Sequence, residues 1–357
     1  MRSNKLWLVP LVLILVVILV LASLYSLGQP APKETELNSI LSTLTSPTVS
    51  VSEQPITLIS LGGPIAESSA ELSGLAWIGD TLVLLSQYPE RFGADEGVLF
   101  AIPKQTILDY LDGKSKEPIV PHTIKLKAPG LKDGIKNYEG FEAIGFFDQR
   151  VYLTIESGKN DKMMGYLVSG TLSADLTEID IDTEHIVEIQ PPVQMDNRTD
   201  ESLVITQNKI LTFFEINGAD LNPKPGAHVF SLDLKPEGTI PFPSLEYRVT
   251  DAALGADGAI WVINKVAPKE IELFPKSDPL FEKYHIGSAP GQFPVTERLV
   301  KLNYDPTGIT LADTPPVQIN FDKLEHNWEG LELLDKRGFL LVTDKNPSTL
   351  LVFIPMP

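Results

Sequence analysis

Short apolar runs bounded by turn residues recur along most of this chain, and five of them open on the same brief phrase. The phrases are Ser73-Gly74-Leu75, Glu139-Gly140-Phe141, Glu201-Ser202-Leu203, Asp251-Ala252-Ala253 and Glu329-Gly330-Leu331. A turn and a second apolar run follow each one, at 82–86, 151–156, 210–215, 260–264 and 340–344, and each second run gives way to polar residues. The repeat predicts five hairpins. Third strands are legible at 98–102, 166–169, 228–232, 299–302 and 350–354. More polar outer strands fit 122–126, 186–189, 245–247 and 317–319, where residues alternate or are β-branched. Such a repeat predicts an all-β propeller, because a lone blade cannot bury both its faces and a closed ring can.

The fifth repeat ends after its third strand, so a strand at 56–61 is expected to complete its sheet and cover its edge. A sixth blade has room only in the long interval between Asp251 and Glu329. There, residues 266–294 are rich in Pro, Lys and Glu without a paired strand pattern, and they read as one long loop. Glu270, inside that loop, is expected to stand apart from any site. A short helix is expected near 106–111.

Ahead of the repeats, Arg2 and Lys5 precede a nearly unbroken apolar stretch at 6–27, long enough as a helix to span a bilayer. Residues 1–28 therefore read as a signal anchor, a transmembrane helix that sends the rest of the chain to an extracytoplasmic, periplasmic or cell-surface, location. The alternative is a cleaved signal peptide, whose apolar region runs to about 7–15 residues. Residues 29–54 are rich in Ser, Thr and Pro and read as a flexible linker. Residues 55–357 form the propeller domain.

A formal net charge of −18 leaves no basic surface for phosphate backbones, which disfavours nucleic acid and favours cations as partners. The chain has no cysteine, so disulfides, thiolate metal sites and cysteine nucleophiles are excluded. In a blade, the start of the first strand and the end of the second lie on one rim. That rule gathers Ser73, Glu139, Glu201, Asp251 and Glu329 at the channel mouth, with Gln87, Glu156, Glu215, Asn264 and Asp344 behind them. Carboxylates so close raise one another's pKa unless a cation compensates, and calcium (Ca²⁺) accepts six to eight oxygen ligands in loose geometry. The first five residues are the candidate metal ligands. Glu71 is a candidate substitute for the acid that the first repeat lacks, and Lys265, Lys345 and His326 complete the candidate rim. Each of these charges also has a plain reading as a solvated surface group.

The phrases Asn327-Trp328-Glu329-Gly330-Leu331-Glu332 and Tyr138-Glu139-Gly140-Phe141-Glu142, with Gly338-Phe339-Leu340-Leu341-Val342-Thr343-Asp344-Lys345, resemble the repeat of the phytase-like esterase family of calcium-binding propellers. The pattern of one Ser and several acids around a channel is also similar to the calcium-activated nucleotidases. The resemblance covers the repeats from Ser73 to Ile354. It implies calcium in or near the channel and hydrolysis of a small ester or phosphoester. No Gly-x-Ser-x-Gly elbow, His-Glu-x-x-His or phosphate-cradling loop is present. A propeller that binds a protein or glycan at its rim, with structural calcium and no catalysis, is the second reading.

Overall fold

The five recurring phrases are five β-bulges. In each innermost strand the register against its neighbour slips at the phrase: between Leu72 and Gly74, Tyr138 and Gly140, Asp200 and Ser202, Val249 and Ala252, and Trp328 and Gly330. The residue left over is Ser73, Glu139, Glu201 or Glu329, and in the fourth case Thr250 with Asp251. A bulge releases its extra residue from the ladder and re-aims it. Gly140 shows why small residues follow. Its φ is +123°, and a Cβ there would lie 2.4 Å from Cγ of Gln87, whose carbonyl accepts the Phe141 N–H at 3.0 Å.

The computed structural model describes residues 56–357 apart from 94–95, 160–161, 274, 288–294, 320–324 and 346–347. Strand β1 (Thr57–Ile59) precedes the first blade, which is β2 (Leu72–Ile78), β3 (Thr81–Ser86), β4 (Val98–Pro103) and β5 (His122–Lys127). Blade two is β6 (Tyr138–Phe147), β7 (Arg150–Ser157), β8 (Met164–Leu172) and β9 (Glu178–Ile181), with β10 (Val187–Ile189) also paired to β8. Blade three is β11 (Asp200–Thr206), β12 (Lys209–Phe214), β13 (Gly226–Ser231) and β14 (Pro236–Pro241). Blade four is β15 (Arg248–Leu254), β16 (Ile260–Val266), β17 (Thr296–Asp305) and β18 (Gly308–Leu311), with β19 (Val317–Gln318) also on β17. Blade five is β20 (Trp328–Leu334), β21 (Gly338–Thr343) and β22 (Leu351–Pro355), and β1 completes it. Thr57, Leu58 and Ile59 pair antiparallel with Phe353, Val352 and Leu351, so the early strand closes the ring as its sequence suggests. Among the described residues no sixth blade is present.

The middle of the second strand of each blade is mainly apolar because both its faces are covered. In β3, Val83 and Leu85 pack toward blade two while Leu82 and Leu84 pack toward blade five. In β16, Ile260 and Val262 face blade three, and Trp261 and Ile263 face blade five. Tyr152 of β7 meets Leu203 and Ile210 across the junction of blades two and three. The core is thus a set of interblade layers around the inner strands, which neighbour one another in the closed order β2, β6, β11, β15, β20 and β2 again.

Three outer strands lie elsewhere than the alternation suggests. They run at 178–181, 236–241 and 308–311, while 187–189 and 317–318 pair with the opposite ends of their third strands. Residues 245–247 form no strand, and Tyr247 adopts φ +73°. Segment 236–241 is solvated along most of its length and has Pro at both ends, which an edge strand tolerates and a pattern search passes over. The short helix near 106 is present as α1 (Lys104–Leu111). The 266–294 stretch is more than a loop. It carries α2 (Pro279–Tyr284), capped by Asp278, which accepts the Leu280 N–H at 3.0 Å and pairs with Arg298 of β17 at 2.6 Å. The expected anchor at 1–28 and linker at 29–54 lie outside the described residues, among which no helix is long and apolar enough to cross a membrane.

Candidate functional site

At the end of the channel where the inner strands begin lies a cavity of about 600 Å³. Its wall includes Glu71, Gln87, Glu139, Glu142, Glu156, Glu201, Glu329, Asp344 and Lys345, so one mouth gathers most of the acids read from the repeat. The bulged residues have three different uses. Ser73 Oγ donates to the Phe141 carbonyl at 2.8 Å and ties blade one to blade two. Asp251 accepts the Leu331 N–H at 2.6 Å and ties blade four to blade five. Glu139 is exposed at the rim, whereas Glu201 and Glu329 turn inward. The four expected carboxylates therefore do not come together; among the described residues, the carboxylates whose oxygens lie within 4.8 Å of one another are Glu156, Glu201 and Glu215.

The electrostatic centre of the mouth is Arg248, the first residue of β15. Its Nη2 lies 2.9 Å from both oxygens of Glu201, and its Nε donates to Glu215 Oε2 at 2.5 Å. Nη1 reaches Glu270 Oε1 at 3.1 Å, and Glu329 Oε1 stands 3.7 Å from Nη2. Arg198 joins the same acids, at 3.3 Å from Glu215 and 3.3 Å from Glu270. Much of the compensation expected from a metal is thus built into the chain. Glu270 belongs to this network rather than standing apart from it, because the turn after β16 folds it back over the mouth, where its Oε2 also accepts the Ala267 N–H at 2.8 Å.

A second group surrounds Asn327. Its amide donates to Glu329 at 2.6 Å and to Asp344 at 2.9 Å, and its carbonyl oxygen accepts from Lys265. Lys265 is buried and its ammonium is held below its usual range, first by burial and then by Arg248. Asn264 is structural: its amide donates to the Glu246 carbonyl at 2.7 Å and its oxygen accepts from Arg298 at 2.8 Å. His326 is buried off the cavity wall, with its ring stacked on Trp328 at 5.1 Å and 3.4 Å from Glu297. At the rim, Arg91 bridges to Glu71 at 2.8 Å and stacks on Tyr88 at 4.1 Å, with Lys345 at 3.8 Å from Glu71.

Crowding of acids sets their proton affinity. Burial, with Glu215 next, pushes Glu156 up to about 7; burial and Asp344 push Glu329 up to about 7. Glu142, which accepts from Gln87 at 2.9 Å, is raised well above the carboxylate range by burial and by Glu156. Burial also acts on Glu270, but Arg248 and Lys265 outweigh it and hold that group below its usual value.

The donors suit a hard divalent cation. Glu156 Oε2 accepts from Thr199 at 2.9 Å, and Glu215, fully buried, keeps Oε1 without a hydrogen-bond partner among the described residues. A buried carboxylate oxygen with nothing to accept from is costly unless a ligand completes it. Such a cation would share Glu201 and Glu215 with Arg248.

No family model and no curated protein matches this sequence. Solved structures similar to it include a GH43 endo-arabinanase from Bacillus licheniformis, at 12% identity over 83% of this chain and 96% of that one, with a TM-score of 0.44. A mannose phosphorylase from Leishmania mexicana is 13% identical over 90% of this chain and 95% of that one, with a TM-score of 0.48. A gluconolactonase from Xanthomonas campestris is 11% identical over 82% and 78%, with a TM-score of 0.36. The likeness is one of general fold. Blade count and ring closure stand on the strand pairing itself.

Arg248 was passed over in the sequence although its signal was there: a cation stands three residues before the bulge acid in the second, third and fourth repeats, at Lys136, Arg198 and Arg248.

Proposed function

We propose that the acidic mouth binds a hard divalent cation, calcium by its all-oxygen donors, through Glu156, Glu201 and Glu215, and with it a small oxygen-rich ligand in the adjoining cavity. The observation that carries this reading is the unpartnered, fully buried Oε1 of Glu215 among three convergent carboxylates. The cation would neutralise the cluster and polarise an oxygen of the ligand. Hydrolysis of a carboxylic ester fits the surroundings better than hydrolysis of a phosphoester. Arg198, Arg248 and Lys265 already hold protein oxygens, and of the other cations among the described residues that line the cavity, Arg91 and Lys345 already lie against Glu71, which leaves little to meet phosphate.

A structural cation without catalysis is the second reading, favoured by the two hydrogen bonds that lock Glu201 onto Arg248. Both readings require the metal. Calorimetric titration of metal-free full-length protein with calcium should show binding, and a concentration a hundredfold above Kd should add about 2.7 kcal/mol of stability. Glu215→Gln should weaken that response, while Glu188→Gln, at the exposed position of β10, should not. Absence of binding to the wild type overturns the proposal. Hydrolysis of p-nitrophenyl acetate that calcium restores and chelator removes would select the catalytic reading, and its absence in calcium-loaded protein the structural one.

A further inference from the structure

The other end of the channel holds a separate cavity of about 110 Å³, walled by the later residues of the inner strands. Most of the surface that faces it is polar, Trp77, Phe146 and Leu254 keep part of their apolar surface open beside it, and Glu332 is the one titratable group among the described residues that line it. The position of Glu332 follows from register. It ends the phrase that opens at Trp328, as Glu142 ends the phrase that opens at Tyr138. β6 carries a second irregularity between Phe141 and Ile144, whereas β20 stays in register from Gly330 to Leu334. An added residue re-aims the side chains beside it, so Glu142 meets Gln87 at the acidic mouth while Glu332 faces the opposite end.

We propose that this cavity binds a small aliphatic primary ammonium compound, its head on the Glu332 carboxylate and its short alkyl body beside Trp77, Phe146 and Leu254. A metal ion is a poor fit, because one carboxylate supplies too few of the oxygens that a hard cation takes. An anion would find no cation on the wall. A purely apolar guest would leave the carboxyl facing hydrocarbon. The cavity is somewhat smaller than the roughly 150 Å³ that admits benzene in an engineered core, so the fitting guest has a few non-hydrogen atoms. Indole and ammonium already meet nearby: Lys104 Nζ lies over the Trp77 ring at 4.9 Å, but Asp335 at 3.0 Å and Asp80 at 3.2 Å hold it. Trp77 is itself fixed by its Nε1 donating to the Leu333 carbonyl at 2.8 Å. Burial pushes Glu332 up to about 8 against the backbone N–H groups of Leu333 and Trp77, so an arriving ammonium is the partner that lets it ionise.

The test is saturation-transfer NMR and calorimetry on the full-length chain with n-butylammonium, and with n-butanol as its uncharged counterpart. Wild type should bind the ammonium at least about tenfold more tightly than the alcohol, the worth of one hydrogen bond to a charged group. Glu332→Gln should remove that preference while keeping the calcium response of the opposite mouth. Leu254→Lys, which places a tethered ammonium in the same cavity without touching Glu332, should also block binding. Equal binding of alcohol and ammonium, or unchanged ammonium binding by both variants, overturns the proposal, as does the absence of ammonium binding to wild type.

Discussion

Removing Arg248 would leave Glu201, Glu215 and Glu270 buried together without the guanidinium that each now touches. Breaking a buried ion pair from one side costs about 3–5 kcal/mol. Arg248→Ala should therefore lower stability by about that amount in urea denaturation, and recovery of part of the loss at acidic pH, where the stranded carboxylates protonate, would support the assignment. His228 offers a second residue-scale test. Burial pulls its imidazolium down, but Asp200, whose Oδ2 lies 2.8 Å from Nδ1, outweighs burial and leaves the group raised. A raised folded value means that the pair stabilises fully below about 6.5, the ordinary histidine value, and that this is lost as pH rises through the folded value. Melting temperatures of wild type and His228→Gln should thus differ most near pH 5.5 and converge above the transition; a constant difference across that range would refute the linkage. At this scale the repeated positions were legible and their roles were not. Ser73 and Asp251 occupy the same bulge as Glu201 yet bond the backbone of the next blade, because a side chain's nearest partner depends on neighbours that a single phrase does not contain.

At the scale of elements, each second strand announced itself by a mainly apolar run, and each first strand by its bulge phrase. Both signals have a direct cause, in two covered faces for the one and a released residue for the other. Outer strands lack either cause. The solvated segment 236–241, with its terminal prolines, was accordingly missed. Strand β1 was legible because blade five needed it, and its short ladder carries a testable weight. Ile59 is buried in the layer between blades five and one, and without β1 the edge of β22 would be open to other chains. Deletion of residues 55–62 should abolish the cooperative melt, and Ile59→Asp should lower the melting temperature markedly. A truncated protein that melts like the intact one would show that the ring closes without the strand.

For the whole molecule, the long apolar stretch at 6–27 should keep the full-length protein in the membrane fraction after carbonate washing, and external protease should release a folded domain by cutting within 29–54. Recovery of a mature protein that starts near Gln29 would indicate a cleaved leader instead. Within the ring, the five junctions are not alike. Between blades one and two, the outer strands β5 and β9 pair in parallel, with Lys125, Leu126 and Lys127 opposite Glu178, Ile179 and Asp180. Lys127 adds an ion pair to Glu178 at 2.5 Å. These two blades are thereby one continuous sheet, whereas the other junctions join separate sheets. Under mechanical load the difference becomes directional. A ring pulled open elsewhere separates packed side chains, but opening it here also shears a ladder of hydrogen bonds, so blades one and two should yield together as a single late step in a force–extension trace while the remaining three blades peel away earlier.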